Sequence, residues 1–397
     1  MGALRSWFVA HLAKFACVGL LAVPLLTGLL PRVQMDGEQR NLAAFPPAPA
    51  TVQAALAYPA LAEAAINDHF SFRAAQITLN TRLRYFLFGQ FPTIQVVGGR
   101  DGHLFLATHT AKGEPFRAIR LSCGDGFKDL DFTVGEVNLL EQRFRASGRA
   151  VHLLMVPTSP IVYSELLPGW MARRCAPGAA PALAVLASPM LSPAARAMSY
   201  FPLAEMRAMP PEAPAFPPHY YHWSGNGPKV AAEASELRFW QRSASVATAL
   251  KLGYRMGESD VKGMFPGIQI ERPVGAPELA GSGIEACIGG DCFPGHVATM
   301  NKLGMVALYR NGAPGLGPRL VLLADSFGPN VAPWFARFHV EVLLIGTNQL
   351  ISLSPAERAE VRALSFRADS KDELLYVYHD VSLYSGRIGY DLNMLAP

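Results

Sequence analysis

Apolar runs of strand length alternate along the chain with amphipathic stretches of helical length. The segment TVGEVNLLEQRFRASG (residues 133–148) has apolar residues at helical spacing and ends at a glycine, which is typical of a helix and its stop. The run AVHLLMVP (residues 150–157) comes next and predicts a buried strand. A helix followed by a continuously apolar strand favours an α/β fold with a mainly parallel sheet.

The carboxyl-terminal half gives the same signal. The stretch RLVLLADSFGPN (residues 319–330) predicts an apolar strand, Leu320–Ala324, that runs into Asp-Ser-Phe-Gly. The runs VEVLLIG (residues 340–346) and ELLYVYHDVSL (residues 373–383) predict two further strands.

Three other regions have patterns of their own. Residues 58–89 predict two helices broken near Phe70, and IQVVGGRDGHLFL (residues 94–106) predicts two strands around a glycine turn. Residues 176–218 are rich in Ala and Pro, so we expect a long irregular insertion whose end delivers His222.

The amino terminus carries an uncharged apolar run, FACVGLLAVPLLTGLL (residues 15–30). At 1.5 Å per residue this run spans roughly 24 Å, short of a bilayer core of about 30 Å. Extending the helix back through the preceding turns, with Lys14 snorkelling to the interface, closes the gap. The run therefore predicts a single membrane-anchor helix.

Charges on either side of this run predict its orientation. Arg5 and Lys14 precede it, and acidic residues beginning at Asp36 follow it. By the positive-inside rule, residues 1–35 form a cytoplasmic tail and anchor, and residues 36–397 form a domain outside the cytoplasm. A cleaved signal peptide is the alternative interpretation.

The composition is typical of a globular protein and argues against a nucleic-acid-binding one. Half of the chain is hydrophobic and 17% is charged, so the chain can bury a sizeable core. The net charge is +4, with no lysine-rich run and no alternation of basic and aromatic residues, which argues against a nucleic-acid partner. An acidic glycan or a membrane surface is compatible with this charge.

Cysteine usage agrees with export. Apart from Cys17 in the apolar run, the chain has four cysteines, an even number. We expect at least one bonded pair among Cys123, Cys175, Cys287 and Cys292. CIGGDC is compatible with a local disulfide between Cys287 and Cys292, which would leave Cys123 for Cys175. Metal binding is the competing interpretation, but no CxxC pair or histidine cluster accompanies these residues, and we expect no metal.

Ser326 is the first candidate for chemistry. It directly follows the apolar strand, and ligands in open α/β sheets bind beyond the carboxyl ends of strands. A serine on such a turn can present its hydroxyl while backbone N–H groups point at the same place, as a nucleophile with an oxyanion hole requires. The alternative is a serine that caps the next helix.

His222 is the natural partner, because a serine hydroxyl needs a base to remove its proton. His219 lies three residues away and is a candidate to support His222 or to bind substrate. The alternative for His222 is a buried structural histidine beside Trp223.

The two candidates stand in recognisable motifs. YYHWSGNGP (residues 220–228) and LLADSFG (residues 322–328) resemble two blocks of the alginate O-acetyltransferase AlgX/AlgJ-like (DHHW) family, within the SGNH/GDSL hydrolase superfamily. Other stretches follow in the order of that family: EQRNLAAFP (38–46), NDHFSFR (67–73), VVGGRDGHLFL (96–106) and LLMVPTSPIVYSELLP (153–168). The resemblance covers roughly residues 36–350.

The resemblance implies a three-layer SGNH-like α/β domain in the bacterial periplasm that needs no cofactor. Ser326 would attack an acyl donor, His222 would take its proton, and a hydroxyl of an exported polysaccharide would receive the acyl group. It also implies an inner-membrane O-acyltransferase partner that supplies this group. SGNH enzymes use the serine N–H, a glycine N–H and an asparagine amide as oxyanion donors, so Asn226 and Asn330 are candidates.

The chain departs from the family pattern at the acid. The aspartate two residues before the histidine is replaced by Tyr220, and the glycine before Asp-Ser is Ala324. Asp325 adjoins the nucleophile and is expected to point away from it. His219, Glu212 or an acid from elsewhere could orient His222 instead.

Two alternative functions follow from this departure. The domain could bind glycan without catalysis, as a scaffold in a secretion complex, with Tyr220, Tyr221 and Trp223 as aromatic faces. It could also be a carbohydrate acetyl-esterase, in which water resolves the acyl-enzyme.

Overall fold

The computed structural model describes residues 43–69, 73–110, 112–127, 129–264, 268–368 and 371–395, together with His11, Leu12, Lys14, Val18 and Gly19. The predicted anchor, residues 15–30, therefore lies almost wholly outside the described residues. In the described part, no helix is long and apolar enough to cross a membrane. The chain divides into two compact units, residues 1–93 with 262–270, and residues 94–261 with 271–397.

The first unit contains the two helices that the sequence predicts, α1 (Val52–His69) and α2 (Arg73–Phe88). The predicted break at Phe70 falls between them, outside the described residues. The segment before α1 is tied to its end, because the Ala43 N–H donates to the Asp68 carboxylate at 2.8 Å and the Phe45 ring stacks on His69.

The strands of the second unit are β1 (Val96–Gly98), β2 (Leu104–Leu106), β3 (His152–Val156), β4 (Ser199–Tyr200), β5 (Lys251–Glu258), β6 (Glu271–Glu278), β7 (Ile284–Ile288), β8 (Val306–Asn311), β9 (Leu320–Ala324), β10 (Glu341–Gly346) and β11 (Glu373–His379). Seven of them form the central sheet in the order β4-β3-β11-β9-β10-β8-β7. The first five in this order are parallel, and β8 and β7 extend one edge antiparallel. The mainly parallel sheet that the sequence predicts is confirmed.

The helices of the second unit are α3 (Arg117–Ser122), α4 (Leu130–Ala146), α5 (Ser159–Val162), α6 (Gly169–Ala172), α7 (Pro181–Ala187), α8 (Pro193–Met198), α9 (Leu203–Arg207), α10 (Asn226–Trp240), α11 (Val297–Leu303), α12 (Gly328–Phe335), α13 (Pro355–Ser365), α14 (Asp380–Tyr384) and α15 (Arg387–Leu395).

Helices cover both faces of the sheet. Tyr376 of β11 packs edge-on against Phe144 of α4, so α4 covers the face on which Tyr376 lies. The neighbouring Leu375 is paired with His152, whose ring stacks on Phe239 of α10 on the other face. Because successive side chains of a strand point to opposite faces, the helices α4 and α10 lie on opposite sides. The three-layer arrangement explains why β9 is apolar at every position.

The region 176–218 corrects the sequence prediction of an irregular insertion. It contains α7, α8, α9 and the edge strand β4. Prolines occupy the first turn of α7 and α8, where a missing N–H costs nothing, so they begin helices here.

The prediction of at least one bonded cysteine pair is confirmed, and the structure has two. Cys123 is bonded to Cys175, which joins the end of α3 to the segment after α6, and Cys287 is bonded to Cys292 within β7 and the turn that follows. The described residues include no group of three His, Cys, Asp or Glu side chains that could hold a metal ion.

Candidate active site

Ser326 lies at the carboxyl edge of the sheet, at its central strand. It stands two residues beyond the end of β9 and two residues before the start of α12. The preceding strand is fully buried, which fixes the position of the turn that carries the hydroxyl. This is the strand-end location that the sequence predicts.

His222 reaches Ser326 from the loop that precedes α10. Its Nε2 lies 2.9 Å from Oγ of Ser326. The predicted proximity of the two side chains is therefore confirmed. The His222 side chain is 19% exposed, so the dyad is sheltered but open to a substrate.

Asp260 supplies the acid that the sequence left open. Its Oδ2 lies 3.0 Å from Nδ1 of His222 and accepts the His222 backbone N–H at 2.9 Å. The Tyr221 N–H donates to the same carboxylate at 3.2 Å. Because a carboxylate only accepts hydrogen bonds, Nδ1 carries the ring proton and Nε2 is free to accept the proton of Ser326. The three side chains form a Ser–His–Asp line.

The alternative acids lie elsewhere. The Asp325 carboxylate points away from His222, as expected, and accepts the Phe327 N–H and the His379 ring at 2.9 and 2.5 Å. Glu212 and His219 line a cavity, and the described contacts of His222 Nδ1 are made with Asp260. Burial, followed by repulsion from Arg272, lowers the pKa of His219.

Asp325 and His379 form a buried ion pair beneath the nucleophile turn. Burial opposes both charges, but the pairing outweighs it, so the pKa of Asp325 is lowered and that of His379 is raised. The His379 ring also stacks on Phe327 at 4.9 Å between centroids. The pair thus anchors the turn that carries Ser326 to the end of β11.

Trp223 ties the histidine loop to the serine turn. Its Nε1 donates to the Phe327 carbonyl at 2.9 Å, and the Asn330 amide donates to the Trp223 carbonyl at 2.8 Å. Trp223 is 0% exposed, so its ring offers no face to a glycan. This corrects the interpretation of Trp223 as a glycan-stacking residue.

The two asparagines considered as oxyanion donors differ in their contacts. The Asn330 side-chain amide already donates to the Trp223 carbonyl, which is a structural contact. Asn226 begins α10 and lines the cavity beside the histidine loop, and its role stays a prediction. Within the described residues nothing accepts a hydrogen bond from the Ser326 N–H, whereas the Phe327 N–H is held by Asp325. The Ser326 N–H stays an oxyanion-donor candidate, as the resemblance implies.

A cavity of about 270 Å³ flanks the histidine loop. Proline rings, including Pro217 and Pro218, form apolar walls, and Arg272 and Asn226 contribute polar groups. It lies between this loop and the strands β5 and β6.

Tyr220 occupies the position at which the resembled family has its acid. In this structure it contacts the end of β5, the strand that precedes Asp260. Its hydroxyl donates to the Glu258 carbonyl at 2.5 Å. Burial, followed by the charge of Asp260, raises the pKa of Tyr220 to about 12, which keeps the phenol protonated as this bond requires.

Among known proteins, the chain is similar to several solved structures but to no protein-family model and no curated sequence. Similar solved structures include a DHHW family protein from Eubacterium siraeum, at a TM-score of 0.48 and 14% identity over 75% of this chain and 96% of that one. The O-acetyltransferase domain of Pseudomonas putida AlgJ matches with a TM-score of 0.44 and 14% identity, over 73% of this chain and 92% of that one. Pseudomonas aeruginosa AlgX matches with a TM-score of 0.43 and 14% identity, over 78% of this chain and 70% of that one. These neighbours carry the names of the family whose motifs the sequence resembles.

Proposed function

We propose that this chain is an O-acetyltransferase that uses Ser326 as nucleophile and acts on an exported polysaccharide. The observation that carries the proposal is the line from Ser326 through His222 to Asp260, with steps of 2.9 and 3.0 Å. A hydroxyl, an imidazole and a carboxylate in this order are the arrangement of nucleophilic acyl transfer on unrelated folds. The order of the sequence motifs supports the choice of an acetyl group and a glycan.

In the first half-reaction, Oγ of Ser326 attacks the carbonyl carbon of the acetyl donor while Nε2 of His222 takes the hydroxyl proton. Asp260 stabilises the imidazolium that forms. The Ser326 N–H donates to the oxyanion of the tetrahedral intermediate. The intermediate then expels the donor's leaving group, which takes the proton from His222, and an acetyl ester remains on Ser326.

In the second half-reaction, a sugar hydroxyl attacks this ester and gives its proton to His222. The proton returns to Oγ of Ser326 as the acetylated sugar leaves. When water is the acceptor, the same groups perform ester hydrolysis, so the esterase function differs only in what reaches the acyl-enzyme.

The cavity beside the histidine loop supports a carbohydrate acceptor. Sugar rings have apolar C–H faces and polar hydroxyl edges, and the cavity offers proline rings together with Arg272 and Asn226. The described lining includes none of Ser326, His222 and Asp260, so we place there a sugar unit of the glycan chain next to the one that is acetylated. A non-catalytic glycan-binding role is less well supported, since Trp223 is fully buried and the three catalytic candidates are in hydrogen-bond contact.

We further propose that residues 36–397 act in the periplasm, held by the anchor at residues 15–30 and supplied by an inner-membrane O-acyltransferase. The two disulfides support an oxidising compartment, because such bonds are rare in the cytosol. The charge asymmetry around the apolar run supports the orientation.

The test is acetyl transfer by the purified chain from a chromogenic acetyl ester to an oligosaccharide of an exported polymer, followed by mass spectrometry of the sugar. We expect an acetylated sugar with wild type and with Ser352→Ala, which removes an exposed hydroxyl elsewhere. We expect none with Ser326→Ala. Equal transfer by Ser326→Ala and wild type would refute the proposal.

A further inference from the structure

Asp260 lies just past β5, in the hairpin of strands β5 and β6, which is a different structural element from the loops that carry His222 and Ser326. Strands β5 and β6 pair antiparallel from Lys251 opposite Glu278 to Glu258 opposite Glu271, and they form a sheet of their own outside the central one. Most of their residues are exposed or half-buried. Asp260 follows two residues after β5, so its position depends on how this hairpin is held against the histidine loop.

Two side-chain hydrogen bonds hold the hairpin beside Asp260. The Tyr220 hydroxyl donates to the Glu258 carbonyl at 2.5 Å, and the Ser259 hydroxyl donates to the His219 carbonyl. They join the two residues that precede Asp260 to the residues that precede His222. Like the bond between Asp260 and His222, both bonds join the chain at or just past the end of β5 to the loop before α10.

A close backbone approach marks a third contact. A Cβ on Gly275 of β6 would lie 2.9 Å from the Gly225 Cα, and Gly225 has a φ of +63°, a conformation that favours glycine. The hairpin therefore packs on the histidine loop with no room for a side chain at this point.

We propose that Tyr220 is a positioning residue that holds Asp260 in place, an inference that rests on the proposed Ser–His–Asp function. In the family that the motifs resemble, this position carries the acid itself. Here the side chain at the same position, two residues before His222, donates a hydrogen bond to the strand end that precedes Asp260, and Asp260 lies 38 residues after His222. In this chain the acid, Asp260, is distant in sequence from His222, and Tyr220 contacts the strand end that carries it.

The physical consequence concerns the bond between His222 and Asp260. Without the Tyr220 hydroxyl, the strand end keeps the Ser259 bond but loses the one at Glu258. The carboxylate then spends less time against Nδ1 of His222, and the imidazole is less often in the tautomer that accepts the proton of Ser326. A hydrogen bond of ordinary strength corresponds to a loss of about tenfold in the rate of serine activation.

The experiment compares Tyr220→Phe with wild type by the rate at which phenylmethylsulfonyl fluoride labels Ser326. In this reaction Oγ bonds to the sulfonyl sulfur, fluoride leaves, and His222 accepts the hydroxyl proton, so the rate reports activation of the serine without a glycan. Tyr58→Phe, which removes a hydroxyl from a half-buried tyrosine of α1, is the control. Ser326→Ala gives the background.

A second readout is independent of activity. The Nδ1 proton of His222, observed by NMR in protein labelled at histidine, reports its hydrogen bond to Asp260. We expect Tyr220→Phe to label about tenfold more slowly and to weaken or shift this resonance, and Tyr58→Phe to match wild type in both. Ser259→Ala should weaken the resonance in the same direction, which provides a second variant if Tyr220→Phe unfolds.

Wild-type labelling and an unchanged Nδ1 resonance in folded Tyr220→Phe would overturn the positioning role while leaving the proposed function intact. Labelling of wild type no faster than Ser326→Ala would instead contradict the proposed function, and the resonance would still decide the role of Tyr220.

Discussion

The carboxylate of Asp260 lies 3.0 Å from Nδ1 of His222, and Nε2 of the same ring faces Ser326. The two residues are 38 positions apart and lie on different elements, one on the loop before α10 and the other just past β5. Because the carboxylate also accepts the backbone N–H of His222, it fixes the ring and the loop together. This contact extends the Ser–His pair to the hydroxyl–imidazole–carboxylate line on which the proposed function rests.

Replacing Asp260 by asparagine should lower kcat by about ten-thousandfold, with a small effect on KM. The amide keeps the shape but favours the wrong tautomer of His222, and the same change in the serine-protease triad has this effect. Steady-state kinetics with a small acetyl ester measure it, and circular dichroism confirms the fold. A loss below tenfold would show that Asp260 does not act on the imidazole.

Moving the acid to the family's position should restore part of the activity. In an Asp260→Ala background, Tyr220→Asp places a carboxylate two residues before His222, where the resembled motif has it. We expect the double variant to exceed Asp260→Ala by at least about tenfold in kcat, because a carboxylate again stabilises the imidazolium. Asp260→Ala with Tyr220→Asn is the control for the charge. Equal rates for the two double variants would contradict this prediction.

The ion pair between Asp325 and His379 should make stability depend on pH. The pKa of His379 is raised above its ordinary 6.5 in the folded state, where Asp380, Arg387 and the His109 ring are also neighbours. Its contribution is therefore full below about pH 6.5 and is lost as the pH rises through the folded value.

Removing one partner of this pair, by His379→Gln, should cost about 3–5 kcal/mol of the free energy of unfolding, because a buried carboxylate is left unpaired. Urea unfolding at several pH values measures the difference from wild type, which should be largest between about pH 4 and pH 6.5, where Asp325 is ionised and His379 is charged, and smaller at alkaline pH. A difference that does not vary with pH would contradict the charged state of His379.

The two disulfides should contribute unequally to stability. The bond between Cys123 and Cys175 closes a sequence separation of 52, and that between Cys287 and Cys292 a separation of 5. Loop-closure entropy then gives about 4 and about 2 kcal/mol respectively. Urea unfolding of the two double alanine variants measures this, and a larger loss for the Cys287 and Cys292 variant would contradict it.

The sheet and the nucleophile turn could be predicted because their signals are local. The strand before Ser326 is buried on both faces, which makes it a continuous apolar run, and the serine follows it directly. The proline-rich composition of residues 176–218 predicts irregular chain, but prolines there occupy the first turns of α7 and α8, where they begin helices. In both cases the residues within one element hold the relevant information.

The acid could not be predicted because its signal is not local. Asp260 has no motif around it, and its role depends on a hairpin docking on a loop 38 residues earlier. Tyr220 marks the departure from the pattern that the motifs resemble. Its contact with Glu258, which relates that departure to the new acid, appears only when the chain is folded.

The most direct test of the account is the site of acylation. The purified chain is incubated with an activated acetyl ester, quenched with acid and digested, and the peptides are sequenced by mass spectrometry. We predict one added acetyl group on Ser326, formed in wild type and discharged when acceptor oligosaccharide is added before quenching. Acetylated glycan formed without any acetyl group passing through Ser326, or an acetyl group carried on another residue, would contradict it.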